Sequence, residues 1–245
     1  MIILGDIGNT ETKICLVNNN KIVKRIIFPS NGKKINILNK HFKKFEFSKI
    51  KKILFCSVVP STFKELKKYF LKRTNVKCFE LKELDLRSIL KIDVNYKQVG
   101  SDRLANAISV SSKNKNFIIL DFGTATTFDV LIGKNYKGGI ISPGINLSLN
   151  TLSDKASLIP KINLKKMSKV IGKDTKSAVR SGFFWGYAGL IDNVINLIKK
   201  ETKKSFELVI TGGFSKLFKN SIKTKVKQDF DITINGLIRA SKLIK

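Results

Sequence analysis

Ile2-Ile3-Leu4-Gly5-Asp6-Ile7-Gly8-Asn9-Thr10-Glu11-Thr12-Lys13-Ile14 and Phe117-Ile118-Ile119-Leu120-Asp121-Phe122-Gly123-Thr124-Ala125-Thr126-Thr127-Phe128-Asp129-Val130 follow one pattern. In each, an apolar run enters an aspartate, then one apolar residue, a glycine and a threonine-rich segment. Both read as strand, tight turn, strand: β-branched and aromatic residues suit a pleated surface, and Gly, Asn and Asp suit the turn. At a constant spacing of 115 residues, Asp6 corresponds to Asp121, Gly8 to Gly123 and Thr12 to Thr127. A repeat of nearly half the chain predicts two similar half-domains facing each other across a cleft. The boundary is expected near residue 113, giving segments 1–113 and 114–245.

The intervening sequence fits an α/β chain. Ile22 to Phe28 and Lys52 to Val59 read as strands, the second stopped by Pro60. Ser61 or Thr62 is expected to cap a helix through about Lys72. Gly100-Ser101-Asp102 opens an amphipathic helix, residues 177–200 form a long one, and Phe206 to Thr211 is a strand running into Gly212-Gly213. Gly182, Gly186 and Gly189 sit at helical spacing, which predicts close helix packing.

The two aspartate-glycine-threonine turns carry the first chemical signal. A triphosphate needs backbone and hydroxyl donors and a bound cation. Glycine lets a backbone approach a phosphate, and Asn9, Thr10, Thr12, Thr124, Thr126 and Thr127 supply side-chain donors. Asp6 and Asp121 stand at strand ends, where a carboxylate can hold a cation or its waters. One such turn alone is better read as an ordinary hairpin; two copies half a chain apart favour a nucleotide. In Gly100-Ser101-Asp102-Arg103, the helix dipole is expected to keep Asp102 ionised, able to accept a hydroxyl proton, while Arg103 can fork to an anion. The plain alternative is an N-cap with a surface arginine. Thr175 is either a binding residue or a helix cap. Thr211-Gly212-Gly213 either makes room for a flat base or is a simple turn.

Composition excludes several classes. The chain carries 47 Lys and Arg against 18 Asp and Glu, a net charge of +29, but the lysines are spread throughout. This is expected to be a lysine-rich surface rather than a nucleic-acid face, which would be localised. Three isolated cysteines and one histidine argue against a zinc site or a Ser-His-Asp triad and for reduced thiols in the cytoplasm. The N-terminal residues do not read as a signal peptide, and no stretch reaches the roughly 18 apolar residues of a membrane span. P-loop and Gly-x-Gly-x-x-Gly fingerprints are absent.

The duplicated Asp-x-Gly turns resemble those of the acetate/sugar kinase, Hsp70 and actin superfamily, and the ordered set of motifs resembles the type III pantothenate kinase family. The set runs through Asp6-Ile7-Gly8-Asn9-Thr10, Ser57-Val58-Val59-Pro60, Gly100-Ser101-Asp102-Arg103 and Asp121-Phe122-Gly123-Thr124-Ala125-Thr126-Thr127. It continues through Gly139-Ile140-Ile141-Ser142-Pro143-Gly144, Gly172-Lys173-Asp174-Thr175, Thr211-Gly212-Gly213 and Ile232-Thr233-Ile234-Asn235-Gly236-Leu237. The resemblance implies a duplicated actin-like (ribonuclease H-like) ATPase fold, with the two halves around a nucleotide cleft, and ATP-dependent phosphorylation of pantothenate. It implies that Asp6, Ile7, Gly8, Asn9, Thr10, Glu11, Thr12 and Lys13 form an ATP loop and that Thr124 contacts ATP. Asp121 would bind a monovalent cation, K+ or NH4+, with Mg2+ accompanying ATP. Gly100, Ser101, Asp102, Arg103 and Thr175 would hold pantothenate, Asp102 as the proton acceptor. It also implies a cytoplasmic homodimer with the substrate pocket near the dimer interface. Two departures stand out. Tyr96 falls where the family's Tyr-Asn-Pro segment has its proline, and Ser101 replaces a common alanine. The rival readings are a kinase of another small alcohol on the same fold, or a non-catalytic regulator that binds nucleic acid.

Overall fold

The computed structural model describes residues 1–31, 34–43 and 46–244. The chain divides into two compact units, one of Met1–Ser111, Lys134–Tyr136 and Asp231–Lys245, the other of Ser112–Gly133 and Lys137–Phe230.

In the first unit, β1 (Ile2–Ile7) and β2 (Glu11–Asn18) form the antiparallel hairpin that begins the sequence. Asn19 and Asn20, both at positive φ, turn β2 into β3 (Lys21–Pro29); asparagine tolerates this region because its short polar side chain bonds locally. Helix α1 (Lys34–Phe42) precedes β4 (Lys52–Ser57), which runs parallel to β1. Helix α2 (Pro60–Thr74) crosses to β5 (Cys78–Glu80), parallel to β4. The strand order is β3-β2-β1-β4-β5. Ile3, Ile14, Phe55, Leu66 and Phe70 are fully buried at its core. Gly5 is required there, since a Cβ would lie 2.0 Å from the Phe55 ring. Strand β6 (Lys91–Ile92) pairs with Asn135 and Tyr136, and α3 (Ser101–Val110) follows. Helix α2 starts at Pro60 with Val59 as N-cap, not at Ser61 or Thr62 as expected. Proline needs no amide partner at the first helical position and its φ is already helical.

The second unit repeats the plan. Strands β7 (Asn116–Phe122), β8 (Ala125–Ile132) and β9 (Asn135–Pro143) are followed by α4 (Ile145–Lys155) and α5 (Thr175–Thr202). Then come β10 (Glu207–Gly212), α6 (Ser215–Phe218) and β11 (Val226–Gln228). Its sheet has the order β11-β10-β7-β8-β9-β6; apart from β6 at the edge this is the order of the first sheet, with β10 and β11 parallel to β7 as β4 and β5 are to β1. Phe184, Ala188, Ile191, Ile195 and Ile198 form one stripe of α5 buried with Ile118, Leu120, Phe128, Ile210 and Phe218. Such large side chains contribute about 1.5–3 kcal/mol each. Gly182, Gly186 and Gly189 do not mark close packing: a Cβ at any of them meets nothing within 4 Å among the described residues.

Helix α7 (Ile232–Ala240) returns to the first unit and packs on α3. Backbones approach so closely that a Cβ on Gly236 would sit 1.8 Å from the Ala105 carbonyl oxygen. Thr233 Oγ1 donates to Asn106 Oδ1 at 2.8 Å. Arg239 donates to the carbonyls of Ser109 (2.9 Å) and Ser111 (3.2 Å), satisfying acceptors that the end of α3 leaves open. Arg25 of β3 donates through one guanidinium nitrogen, Nη2, to both oxygens of Asp231, at 2.6 and 2.7 Å, just before α7.

Candidate active site

In the first unit the Asp6 turn is built from backbone and buried hydroxyls. The Gly8 amide donates to the Glu11 carbonyl at 3.0 Å, closing the turn. Thr12, fully buried, shares a 2.9 Å hydrogen bond with Ser30 Oγ, which donates to the Gly8 carbonyl at 2.6 Å. Thr12 therefore braces the turn from beneath. Ile7 is buried beside it, whereas Asn9, Thr10 and Glu11 are exposed and Gly8 and Lys13 half-buried.

Asp6 is half-buried and accepts from Cys56 Sγ at 3.5 Å. Burial, then the nearby negative charge of Asp102, push its carboxyl up to about 6, against a smaller opposing pull from Lys13. Asp102 sits in the first turn of α3, where its Oδ1 accepts from the Arg103 amide at 2.8 Å. Its carboxyl is nevertheless raised, chiefly by burial, with the Arg103 amide and guanidinium pulling the other way. Desolvation outweighs the favourable amide and guanidinium here, so the helix start alone does not set how Asp102 titrates. Gly100 makes room for this carboxylate, since a Cβ there would lie 2.5 Å from Asp102 Oδ1. Tyr96, half-buried, donates to the Lys82 carbonyl at 3.0 Å under the Lys82 ammonium.

The second unit carries the matching turn. Asp121 is the penultimate residue of β7, and the Gly123 amide donates to the Ala125 carbonyl at 3.1 Å. This turn is one residue shorter. Ile7 stands opposite Thr12, but Phe122 stands opposite Thr126, and Asp121 opposite Thr127. The structural counterpart of Thr12 is therefore Thr126, not Thr127; both are fully buried. Constant sequence spacing hides a deletion inside a turn. Among the described residues Thr126 Oγ1 has no hydrogen-bond partner where Thr12 has Ser30. Gly144 presses on this turn, and a Cβ there would meet the Thr124 carbonyl oxygen at 2.0 Å. Gly212, at φ 84°, ends β10, and the Gly213 amide donates to the Phe122 carbonyl at 3.0 Å. Thr124 is exposed, as is Thr175 in the first turn of α5. Asp174, not Thr175, caps that helix, in a capping box with Ser177.

The structure thus gathers Asp6, Gly100, Ser101, Asp102 and Arg103 in the first unit, and Asp121 and Thr124 on one turn of the second. It also adds Cys56, which stands opposite Asp6 in the β1–β4 register, and Glu80, which accepts from Ser101 Oγ at the start of α3; the sequence gave no reason to single out either. Among the described residues no three His, Cys, Asp or Glu side chains cluster to hold a metal unaided. Asp6 beside Asp102 is still a donor set that suits a hard cation completing its shell with phosphate oxygens and water.

A sequence profile described as type III pantothenate kinase matches residues 2–197. The chain belongs to this family. A "Type III pantothenate kinase" of Pelagibacter ubique (strain HTCC1062) is 65% identical over 250 residues, covering 100% of both chains. Among solved structures, a Campylobacter jejuni protein assigned to the Baf family of transcriptional activators superposes with a TM-score of 0.65 at 21% identity, over 98% of this chain and 97% of that one. MreB 5 of Spiroplasma citri, bound to AMPPNP, superposes with a TM-score of 0.56 at 9% identity, over 99% and 96%. These likenesses and the two equivalent sheets give this kinase-family chain the duplicated actin-like fold. No helix among the described residues is long and apolar enough to cross a membrane.

Proposed function

We propose that the protein transfers the γ-phosphoryl group of ATP to the primary alcohol of pantothenate, giving 4′-phosphopantothenate, the first step of coenzyme A biosynthesis. The observation that carries this is the 65% identity with the Pelagibacter enzyme along the whole of both chains. The placement of Asp102 supports it. Phosphoryl transfer depends mostly on positioning and charge, and a half-buried carboxyl with a raised pKa is a better proton acceptor than a solvated one. Asp102 takes the hydroxyl proton; Gly100, Ser101, Arg103 and Thr175 hold pantothenate, Arg103 through its forked guanidinium. The turn from Asp6 to Lys13 holds ATP phosphates through its backbone amides and the exposed Asn9 and Thr10, and Thr124 also contacts ATP. Mg2+ accompanies the nucleotide and offsets its charge, with Asp6 as the protein carboxylate that fits it. Asp121 holds the monovalent cation, K+ or NH4+.

The protein acts as a homodimer. Its support is an exposed apolar surface on the second unit, where Ile141, Leu147, Val170, Ile171 and Trp185 are 64%, 52%, 65%, 76% and 38% accessible, together with the open Gly182, Gly186 and Gly189 of α5. Three buried free thiols fit a reducing cytoplasm. The test is ADP release by purified protein with ATP, Mg2+ and pantothenate, in potassium and then sodium buffer. Pantothenate-dependent turnover that requires potassium supports the reading. No such turnover from protein that binds ATP refutes it and directs the search to other small alcohols, then to nucleic acid.

A further inference from the structure

We propose that Glu80 is a positioning residue for Asp102, acting through the buried hydroxyl of Ser101. The inference rests on the assignment of Asp102 as proton acceptor. Glu80 ends the short strand β5, and its two oxygens accept from three donors on three different elements. Its Oε2 accepts from the Lys82 amide at 2.6 Å, fixing the turn that follows. Its Oε1 accepts from the Ser57 amide at 3.3 Å and from Ser101 Oγ. Ser57 ends β4 opposite Ile7, and the next amide, Val58, donates to the Ile7 carbonyl at 3.0 Å. One carboxyl therefore joins the base of the Asp6 turn to the first residue of the helix that carries Asp102.

The geometry is not that of a helix cap. Gly100 is the N-cap of α3 and has no side chain to offer, and Glu80 reaches the hydroxyl of the first helical residue rather than a free helix amide. Ser101 is 2% accessible, so solvent does not compete for that hydroxyl. A charge-assisted bond of this kind is stronger than a neutral one and directional. It fixes the rotation and axial position of the first turn of α3, and with it the direction of the Asp102 carboxylate one residue on. A displacement of about 1 Å in a catalytic group can cost about 100-fold in rate.

The test compares Ser101→Ala, Glu80→Ala and the double variant with the natural protein. Each single change is expected to lower kcat about tenfold while leaving the KM for ATP within about twofold. The double variant is expected to be no slower than Glu80→Ala alone, because one chain of contact has been cut twice. Ser101→Ala leaves the Ser57 and Lys82 bonds intact and carries the test if Glu80→Ala does not fold. Amide hydrogen exchange without substrate gives a second readout: both variants should exchange faster across residues 101–104, and Glu80→Ala also at Ser57. Additive losses in kcat, or unchanged kcat in Ser101→Ala, would overturn the proposal, as would unchanged exchange across 101–104. If the natural protein shows no pantothenate-dependent turnover, the kinase reading fails on its own, and the exchange data still decide whether Glu80 holds α3.

Discussion

Replacing Asp6 with asparagine should make the ligand-free protein more stable at neutral pH while abolishing its use of ATP. In the fold the Asp6 carboxyl is raised from 3.8 to about 6. Each pKa unit corresponds to about 1.4 kcal/mol, so ionised Asp6 costs roughly 3 kcal/mol of folding free energy above that value. The sign follows from proton binding. Between about pH 4 and pH 6 the folded protein binds a proton at Asp6 that the unfolded chain has released, so this group's contribution is intact below about pH 4 and is lost as pH rises through about 6. Asparagine has nearly the same shape, still accepts from the Cys56 thiol and carries no charge. Thermal unfolding of both proteins, free of nucleotide and metal, should show no gain for Asp6→Asn at pH 4 and a gain approaching about 3 kcal/mol at pH 8. For a chain of this size that is several degrees in Tm. Adding Mg2+ and ATP should reverse the order, by stabilising only the natural protein. A stability difference that is absent at pH 8, or the same at both pH values, would refute the argument that Asp6 is held in an unfavourable charged state.

Three other outcomes are expected. Asp102→Asn should fold normally and lose roughly 100- to 10,000-fold in kcat, measured by ADP release; near-normal turnover would remove Asp102 as proton acceptor. Gly236→Ala forces a Cβ to 1.8 Å from the Ala105 carbonyl oxygen, and urea unfolding should show a loss of about 1–3 kcal/mol as α3 and α7 separate. Asp174→Ala removes the capping box of α5 and should cost about 1 kcal/mol, read by thermal unfolding. A larger loss in pantothenate KM than in stability would mean that this helix start also holds substrate.

Much of the fold was legible because the repeat is written in the residues that make strands and turns. Asp6 and Asp121 could be matched by eye, and five strands of the second sheet repeat the order of the first, with β6 added at its edge. The Thr12 pairing was misread because a one-residue deletion falls inside the turn, where spacing is silent and only cross-strand register speaks. The start of α2 was misplaced because Pro60 reads equally as a strand stop and as a first helical residue. The glycines of α5 gave the right period with the wrong neighbour: open space lies over them within the described chain. For the site, the Gly100 to Arg103 segment could be named from its residue types, but the raised carboxyl of Asp102 depends on burial that no local pattern encodes. Glu80 left no trace, since two of its three donors, Ser57 and Ser101, are distant in sequence, one brought near by the β4–β5 pairing and the other by the placement of α3.

The packing of α7 on α3 also sets an order of events. Thr233 reaches Asn106, and Arg239 reaches the carbonyls of Ser109 and Ser111, from roughly 130 residues further along. Everything between belongs mostly to the other unit. During synthesis, the helix bearing Asp102 therefore lacks its neighbour until the second unit has been made and the chain has come back. Contacts this distant in sequence form late and slowly. An unfinished chain can close the β1–β2 hairpin but cannot brace its helix, so phosphorylating competence is reached only as the last contacts form.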